Sequence, residues 1–388
     1  MATIVDKGSS GTSTVQTRLP SLTGLRWVAA LLVFVFHLGY VGGPTGTALH
    51  TVLGRAGHLG VAFFFILSGF VLTWSARPND RVVAFWRRRL AKIVPNHWAT
   101  FAITIALMLL TGQVLAFADV LPNFFLVHTW IPRLDAWISV NSVSWSLAAE
   151  LVFYLTFPAW KRLLDRVPVR ALWATAGLVA AAIVAVPLLV QGFVSDQPRI
   201  PYDTFGPISF DQLWLVYFFP LSRMFEFVLG IVLARIVREG RWIAVHIPAA
   251  ALLVVLGQVF ALAVADTSYL VSTSAAPALP VALLIAAVAH ADATGRRTGF
   301  GGKRMVWLGE VSFAFYMVHK IVMTYLQQVF TGGDEQWGAP WPVSQWLLFS
   351  VACFAITLVA AAALYRFVEI PCLNRFGRSR APRTVLSD

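Results

Sequence analysis

The chain has 388 residues, of which 58% are hydrophobic and only 12% charged, with 15 Trp and 29 Phe. Soluble proteins are nearer one-quarter charged, so this composition excludes an ordinary soluble domain. The ten-residue alternation of transmembrane β-strands is not seen, and the predicted fold class is an all-α integral membrane bundle. The net charge of +12 matches the basic cytoplasmic loops of such proteins, so the lipid bilayer is an expected partner and nucleic acid is not.

The two ends of the chain differ in composition from its middle. Residues 1–20 are polar and rich in Ser and Thr, which predicts a flexible tail. This segment lacks the apolar core of a signal peptide, so we expect the first hydrophobic stretch to be a retained anchor. Residues 376–388 form a short basic C-terminal tail, and residues 21–375 are predicted to form one transmembrane domain.

Apolar runs of about 20 residues, long enough to cross a bilayer as helices, recur along this domain. Ten spans are predicted, at roughly 22–41, 58–75, 97–118, 144–160, 171–191, 212–236, 243–265, 275–291, 305–330 and 343–368. The region 119–143 is interrupted by Pro122 and Pro132 and is predicted to be an interfacial loop or half-helix.

The basic residues predict the orientation of the bundle. With the N-terminus in the cytoplasm, 25 of the 30 Lys and Arg residues fall in cytoplasmic segments, and only Arg55, Arg133 and Arg199 fall in outside loops. Cytoplasmic loops carry such an excess. Ten spans then place both termini in the cytoplasm.

The first hydrophobic stretch, Leu22 to Tyr40, carries Arg26 and His37. Eleven residues make about three helical turns, so both side chains lie on nearly the same helix face, separated by about 16 Å. An ionisable residue inside a membrane helix is costly and marks a functional site by default. A lone His is usually a packed core residue, but the shared face favours a chemical role for His37, with Arg26 holding the charged end of its substrate.

Ser146 and Glu150 are four residues apart and can face one cavity, with Trp145 beside them. The alternative for Glu150 is an ion pair with an arginine. For His319, packing in the core and lining a polar cavity are equally favoured.

Further charged residues within the spans have structural explanations. Arg223 and Glu226 are spaced to pair on one helix, and Glu369, just before Pro371, is expected to brace a helix end.

The stretch FWRRRLAKIVP, Phe85 to Pro95, is predicted to lie in the first cytoplasmic loop. Its basic groups serve as a topology signal and contact lipid headgroups, or they hold phosphates, for which arginine is a bidentate donor. The chain has neither a Walker motif nor a dinucleotide glycine fingerprint, which argues against an ATPase or a Rossmann cofactor. The two cysteines show no metal-site spacing, and no metal is expected.

Taken in order, these motifs resemble the acyltransferase-3 family of membrane O-acyltransferases over Leu19 to Arg375. The resemblance is carried by the Arg, ten residues, His arrangement of the first stretch and by FFFILSGFVL, FWRRRLAKIVP, WSLAAE, RMFEFVLGI, LGEVSFAFYMVH and FVEIP. Lys92 stands where the family more often has Arg, which keeps the charge but loses the fork geometry.

The resemblance implies about ten helices and transfer of an acyl group, usually acetyl from acetyl-CoA, to a hydroxyl. It implies that His37 is the catalytic histidine, as general base or as an acyl relay, and it suggests donor contacts from Arg26, Arg88, Arg89 and Lys92. From the residues themselves, Glu150 is a second candidate catalytic group, and Trp145, Ser146 and His319 are candidate cavity residues.

Three readings of function remain at this point. The first is an acyl-CoA-dependent O-acyltransferase of a bacterial cell membrane, whose acceptor is a secondary metabolite such as a macrolide antibiotic or else a cell-wall or surface glycan. The opening LPSLTGLRWVAALLVF resembles antibiotic-pathway members from actinobacteria and favours the small molecule. The second is a proton-coupled transporter, which inverted repeats would favour. The third, a scaffold without chemistry, leaves the buried ionisable groups unexplained.

Overall fold

A computed structural model of the chain describes residues 18–41, 48–77, 80–200, 207–243, 245–332 and 341–377. The predicted N-terminal and C-terminal tails lie almost entirely outside these residues. The described chain forms helices joined by short connections. The α-helices, in order, are α1 Pro20–Gly39, α2 Ala48–Trp74, α3 Val82–Leu110, α4 Phe117–Phe124, α5 Leu134–Trp137, α6 Ser144–Asp165, α7 Leu172–Phe193, α8 Phe210–Leu213, α9 Pro220–Arg238, α10 Ile247–Ala263, α11 Tyr269–Thr273, α12 Ala275–Ala293, α13 Lys303–Thr331, α14 Val343–Leu364 and α15 Ile370–Phe376.

The membrane-helix class is confirmed. Among the described residues, 8 helical segments are long and apolar enough to cross a membrane. Every predicted span coincides with a helix, but α6 and α10 are not among the eight, α10 being a shorter apolar helix of 17 residues. The number of ten spans and the cytoplasmic placement of both termini therefore stay predictions.

The bundle has an inner and an outer set of helices. The central helix α2 packs against α1, α9 and α12. Helices α3, α7 and α14 expose apolar side chains such as Leu110, Phe193 and Val359, as lipid-facing helices do. Close packing of α2 on α9 requires Gly69, because a Cβ there would lie 1.9 Å from the carbonyl oxygen of Phe227. Small residues at such crossings let helix backbones approach each other.

The prediction that FWRRRLAKIVP lies in a loop was wrong. Helix α3 begins at Val82, so the basic stretch forms its first turns, and Pro95 lies inside the helix. Arg, Leu, Ala and Lys are strong helix formers, and membrane helices tolerate proline where neighbouring groups satisfy the freed carbonyl. The basic side chains are therefore held on a rigid helix.

Two predicted spans are interrupted. A π-helical turn, Trp214–Phe218, separates α8 from α9, and a second, Tyr365–Glu369, joins α14 to α15. Such turns often mark functional sites. Residues 119–143 contain the end of α4, a 3-10 turn at His128–Trp130 and the short helix α5, in agreement with the predicted half-helix.

Candidate active site

Helices α1 and α13 are held together at one end by glycines. A Cβ at Gly309 would lie 1.8 Å from the carbonyl oxygen of Thr23, and one at Gly24 would lie 3.2 Å from Met305 Cβ on α13 and 2.1 Å from the carbonyl oxygen of Phe300 just before it. Only glycine permits this approach. The contact places the length of α1, from Arg26 to His37, against α13.

A pair of histidines lies further along this contact. His37 Nδ1 is 3.0 Å from His319 Nε2 and 3.0 Å from the carbonyl oxygen of Val33. His319 Nδ1 is 2.6 Å from the carbonyl oxygen of Tyr316, and His319 is fully buried. His37 and His319 thus form a direct contact that residues 282 positions apart make only in the folded chain.

The surroundings of the histidine pair are aromatic. The ring of Phe34 lies 6.3 Å from that of His319, and Phe36 meets His37 edge to face at 4.9 Å. Aromatic rings thus pack against both histidines, of which His319 is buried and His37 is half-buried.

A cavity of about 110 Å³ opens between α1, α2, α3, α6 and α13. Three basic residues line it, namely Arg26, Arg89 and Lys92, together with one carboxylate, Glu150. We call this space the basic cavity. Its remaining lining is Val61, Phe64, Phe65, Leu67, Ser68, Val71, Leu72, Ile93, Ser146, Leu147, Tyr154, Phe313 and Tyr316.

Arg89 has unused hydrogen-bonding capacity at this cavity. Its Nε is buried and has no hydrogen-bond partner, while its guanidinium lies over the ring of Phe85 at 5.6 Å. A buried donor without a partner is rare in native proteins. A phosphate oxygen is a suitable acceptor for it.

Glu150 lies on the wall of the basic cavity. It accepts hydrogen bonds from Ser68 at 3.3 Å and from Tyr154. The structure therefore brings Glu150 together with the basic residues, and the histidine pair has its own separate set of contacts.

Tyr316 joins the two parts of the site. Its hydroxyl is 2.7 Å from Ser146 Oγ at the cavity, whereas its carbonyl oxygen contacts His319. The rings of Tyr316 and His319 are 5.6 Å apart. Tyr316 thus contacts both the basic cavity and the histidine pair.

The predicted site residues are not all brought together. Arg88 forms an ion pair with Asp80 and does not line the basic cavity. Trp145 is buried against Tyr217, with ring centroids 5.0 Å apart, and is likewise outside the cavity lining.

Sequence reasoning missed Tyr316 and Ser68. The available signal for Tyr316 was its spacing of three residues from His319, which places both on one face of a helix.

Two structural expectations agree with the contacts. Arg223 and Glu226 are buried and form an ion pair at 3.0 Å. Asn96 donates to Glu369 at 2.7 Å, which ties the turn after α14 to α3. Among the described residues, no group of three or more His, Cys, Asp or Glu side chains is placed to hold a metal ion.

Comparison with known proteins gives a whole-length match. The profile of a family described as "Acyltransferase domain" matches residues 19–366. The acyltransferase MdmB of Streptomyces mycarofaciens is 40% identical over 377 residues, which cover 95% of each chain.

More distant relatives match only in part. The peptidoglycan O-acetyltransferase OatA of Listeria monocytogenes is 26% identical over 37% of this chain and 24% of its own length. The O-acetyltransferase OatA of Staphylococcus aureus is 25% identical over 48% of this chain and 32% of its own length. No solved structure matches.

Proposed function

This chain belongs to the acyltransferase-3 family, and from that premise we propose that it transfers an acyl group, in the simplest case acetyl, from acyl-CoA to a hydroxyl group of an acceptor. The observation that carries the proposal is the neighbourhood of the two parts: Tyr316 lines the basic cavity and also contacts His319, which in turn contacts His37. A charged donor can be held at one end while its acyl group reaches the other.

The basic cavity suits the phosphates of acyl-CoA. Arg26, Arg89 and Lys92 converge on it, and charge-assisted hydrogen bonds from such groups are the strong ones. The excess of basic residues at this end of the bundle favours a cytoplasmic position, where acyl-CoA is available. Arg88, paired with Asp80, is then a supporting residue and not a direct contact.

The separation along α1 fits the shape of the donor. Arg26 and His37 lie about 16 Å apart at 1.5 Å per residue, a distance comparable with the pantetheine arm. The arm enters past Ser146 and Tyr316, and the thioester arrives beside His37.

His37 then acts on the acceptor. The acceptor hydroxyl attacks the thioester carbonyl carbon while His37 takes its proton, the new C–O bond forms, the C–S bond breaks, and the proton passes to the departing sulfur. General base catalysis by a positioned His contributes about 10²–10⁴-fold. Covalent relay, in which the acyl group rests on His37 before the acceptor takes it, uses the same residues in two steps.

Glu150 is not placed for a direct role in this chemistry. Among the described residues it contacts Ser68 and Tyr154 on the cavity wall. We therefore assign it to the donor-binding part of the site, where its charge offsets part of the charge on the three basic residues.

For the acceptor we favour a secondary metabolite such as a macrolide. The whole-length similarity to a Streptomyces acyltransferase, set against the partial similarity to peptidoglycan O-acetyltransferases, supports a small molecule over a glycan. Acyl transfer also accounts for the buried His and Arg better than transport does.

The test is a transfer assay on the purified chain in lipid nanodiscs. Labelled acetyl-CoA is offered with a panel of macrolides and a panel of cell-wall oligosaccharides. We expect label on a macrolide hydroxyl. Label on glycan alone would reject a macrolide as the acceptor. Movement of substrate across vesicle membranes without any acylated product would reject acyl transfer as the function.

A further inference from the structure

The hydrogen-bonding roles within the histidine pair follow from its carbonyl partners. A carbonyl oxygen only accepts, so a neutral ring nitrogen facing one must carry its hydrogen. His37 Nδ1 faces Val33 O, and His319 Nδ1 faces Tyr316 O. Both rings are therefore Nδ1–H tautomers, and His319 Nε2 carries a lone pair.

This assignment also explains the contact between the rings. His37 Nδ1–H has two acceptors, each at 3.0 Å, namely the carbonyl oxygen of Val33 and the lone pair of His319 Nε2. The hydrogen is shared between these two acceptors, and the bond to His319 is the one that joins α1 to α13. His37 Nε2 is left with its lone pair exposed for a proton.

We propose that His319 is a positioning residue, one that holds His37 in the Nδ1–H tautomer so that Nε2 is the base. The proposal rests on the proposed function. When His37 takes the acceptor's proton on Nε2, its Nδ1–H bond to His319 becomes charge-assisted and stronger. His319 gains no proton and touches no substrate, and the proton leaves from His37 to the thiol sulfur.

A neutral partner suits this location. Orienting groups for catalytic histidines are often carboxylates, but an isolated carboxylate inside a membrane is costly. Within the described part of the chain, the polar atoms that contact the His37 ring are Val33 O and His319 Nε2. An imidazole with its own proton fixed by Tyr316 O accepts the bond without bringing a charge.

The first test is spectroscopic and needs no substrate. The full chain in nanodiscs, labelled with ¹⁵N-histidine, is examined for a coupling between two ring nitrogens across a hydrogen bond. We expect a coupling that disappears in both His37→Ala and His319→Leu. A folded wild-type protein without the coupling overturns the proposal.

The second test separates positioning from packing. Gln presents an acceptor oxygen near the place of His Nε2, whereas Leu fills space without one. We expect His319→Leu to lower kcat about 10–100-fold, the effect of losing a hydrogen bond to a charged group, with KM for the donor unchanged. His319→Gln recovers most of that loss.

Control variants keep the result interpretable. His97 is also fully buried and bonded to backbone carbonyls but does not contact His37, so His97→Gln should leave the coupling intact. Equal kcat in wild type and His319→Leu, or equal kcat in the Leu and Gln variants, contradicts the positioning role. Absence of acyl transfer by the wild type would instead contradict the proposed function.

Discussion

The basic cavity and the histidine pair differ in the side chains that surround them. The cavity collects three cations, a carboxylate and several hydroxyl groups around open space. The pair is packed among aromatic rings, and its polar contacts are backbone carbonyls and the two rings themselves. Within the ranges that the structure describes, Tyr316 is the residue that contacts both parts.

The difference shows how one site can separate binding from chemistry. Cations around open space attract a phosphorylated donor, whose charge remains near water. Packing among aromatic rings lowers the local dielectric around the pair below that of water, which strengthens the electrostatics of proton transfer. Substitutions in the two parts should therefore change different kinetic parameters.

The largest effect is expected at His37. His37→Ala removes the base, so kcat should fall about 10²–10⁴-fold, while binding of labelled acyl-CoA stays close to that of wild type. Turnover and donor binding measured on the same nanodisc preparation check this. A folded variant with full transfer activity would remove His37 from the mechanism.

The next effect is expected in the basic cavity. Arg89→Ala removes a charge-assisted bond worth about 1.5–3 kcal/mol, so KM for the donor should rise about 10- to 100-fold with little change in kcat. Its neighbour Arg88, paired with Asp80, provides the matched control, and Arg88→Ala should change KM less than threefold or so. Equal effects of the two substitutions would contradict the cavity as the phosphate site.

A smaller effect should follow from narrowing the junction. Ser146→Leu adds volume where Ser146 meets Tyr316, so the acyl group should reach His37 less readily and kcat should fall, by about tenfold if the cost is 1.4 kcal/mol. Ser146→Ala removes the hydroxyl without adding volume and is the control. If Ser146→Leu transfers acyl groups as fast as Ser146→Ala, the donor does not pass this point.

The smallest kinetic effect is expected at the buried pair Arg223 and Glu226. The two side chains are 3.0 Å apart and belong to neither part of the site. Glu226→Leu leaves the charge of Arg223 buried and unpaired, so it should lower the free energy of unfolding by about 3–5 kcal/mol. It should not change KM for the donor. Thermal unfolding and donor kinetics check the two statements. Replacing both partners, as Arg223→Met with Glu226→Leu, should recover most of the lost stability.

The sequence predicted the parts of the site that depend on one helix. Arg26 and His37 share a face because helical periodicity fixes their relation, and the Arg223–Glu226 pair follows from i,i+3 spacing. The membrane-helix class follows from hydropathy.

Contacts between helices were not predictable in the same way. The bond between His37 and His319 depends on how α1 and α13 cross, which Gly24 and Gly309 control. Sequence reasoning put the basic stretch in a loop, whereas α3 begins at Val82 and includes it. Consequently the different surroundings of Arg88, which pairs with Asp80, and Arg89, which lines the cavity, were not anticipated.

The central claim is that one continuous path joins donor binding to the base. The most direct measurement is a structure of the full chain in a nanodisc with a non-cleavable acyl-CoA thioether. We predict that the phosphates bind at Arg26, Arg89 and Lys92. We also predict that the carbon replacing the acyl carbonyl lies about 3–4 Å from His37 Nε2. Phosphates bound elsewhere, or a reactive carbon held on the Glu150 side of Tyr316, would contradict the account.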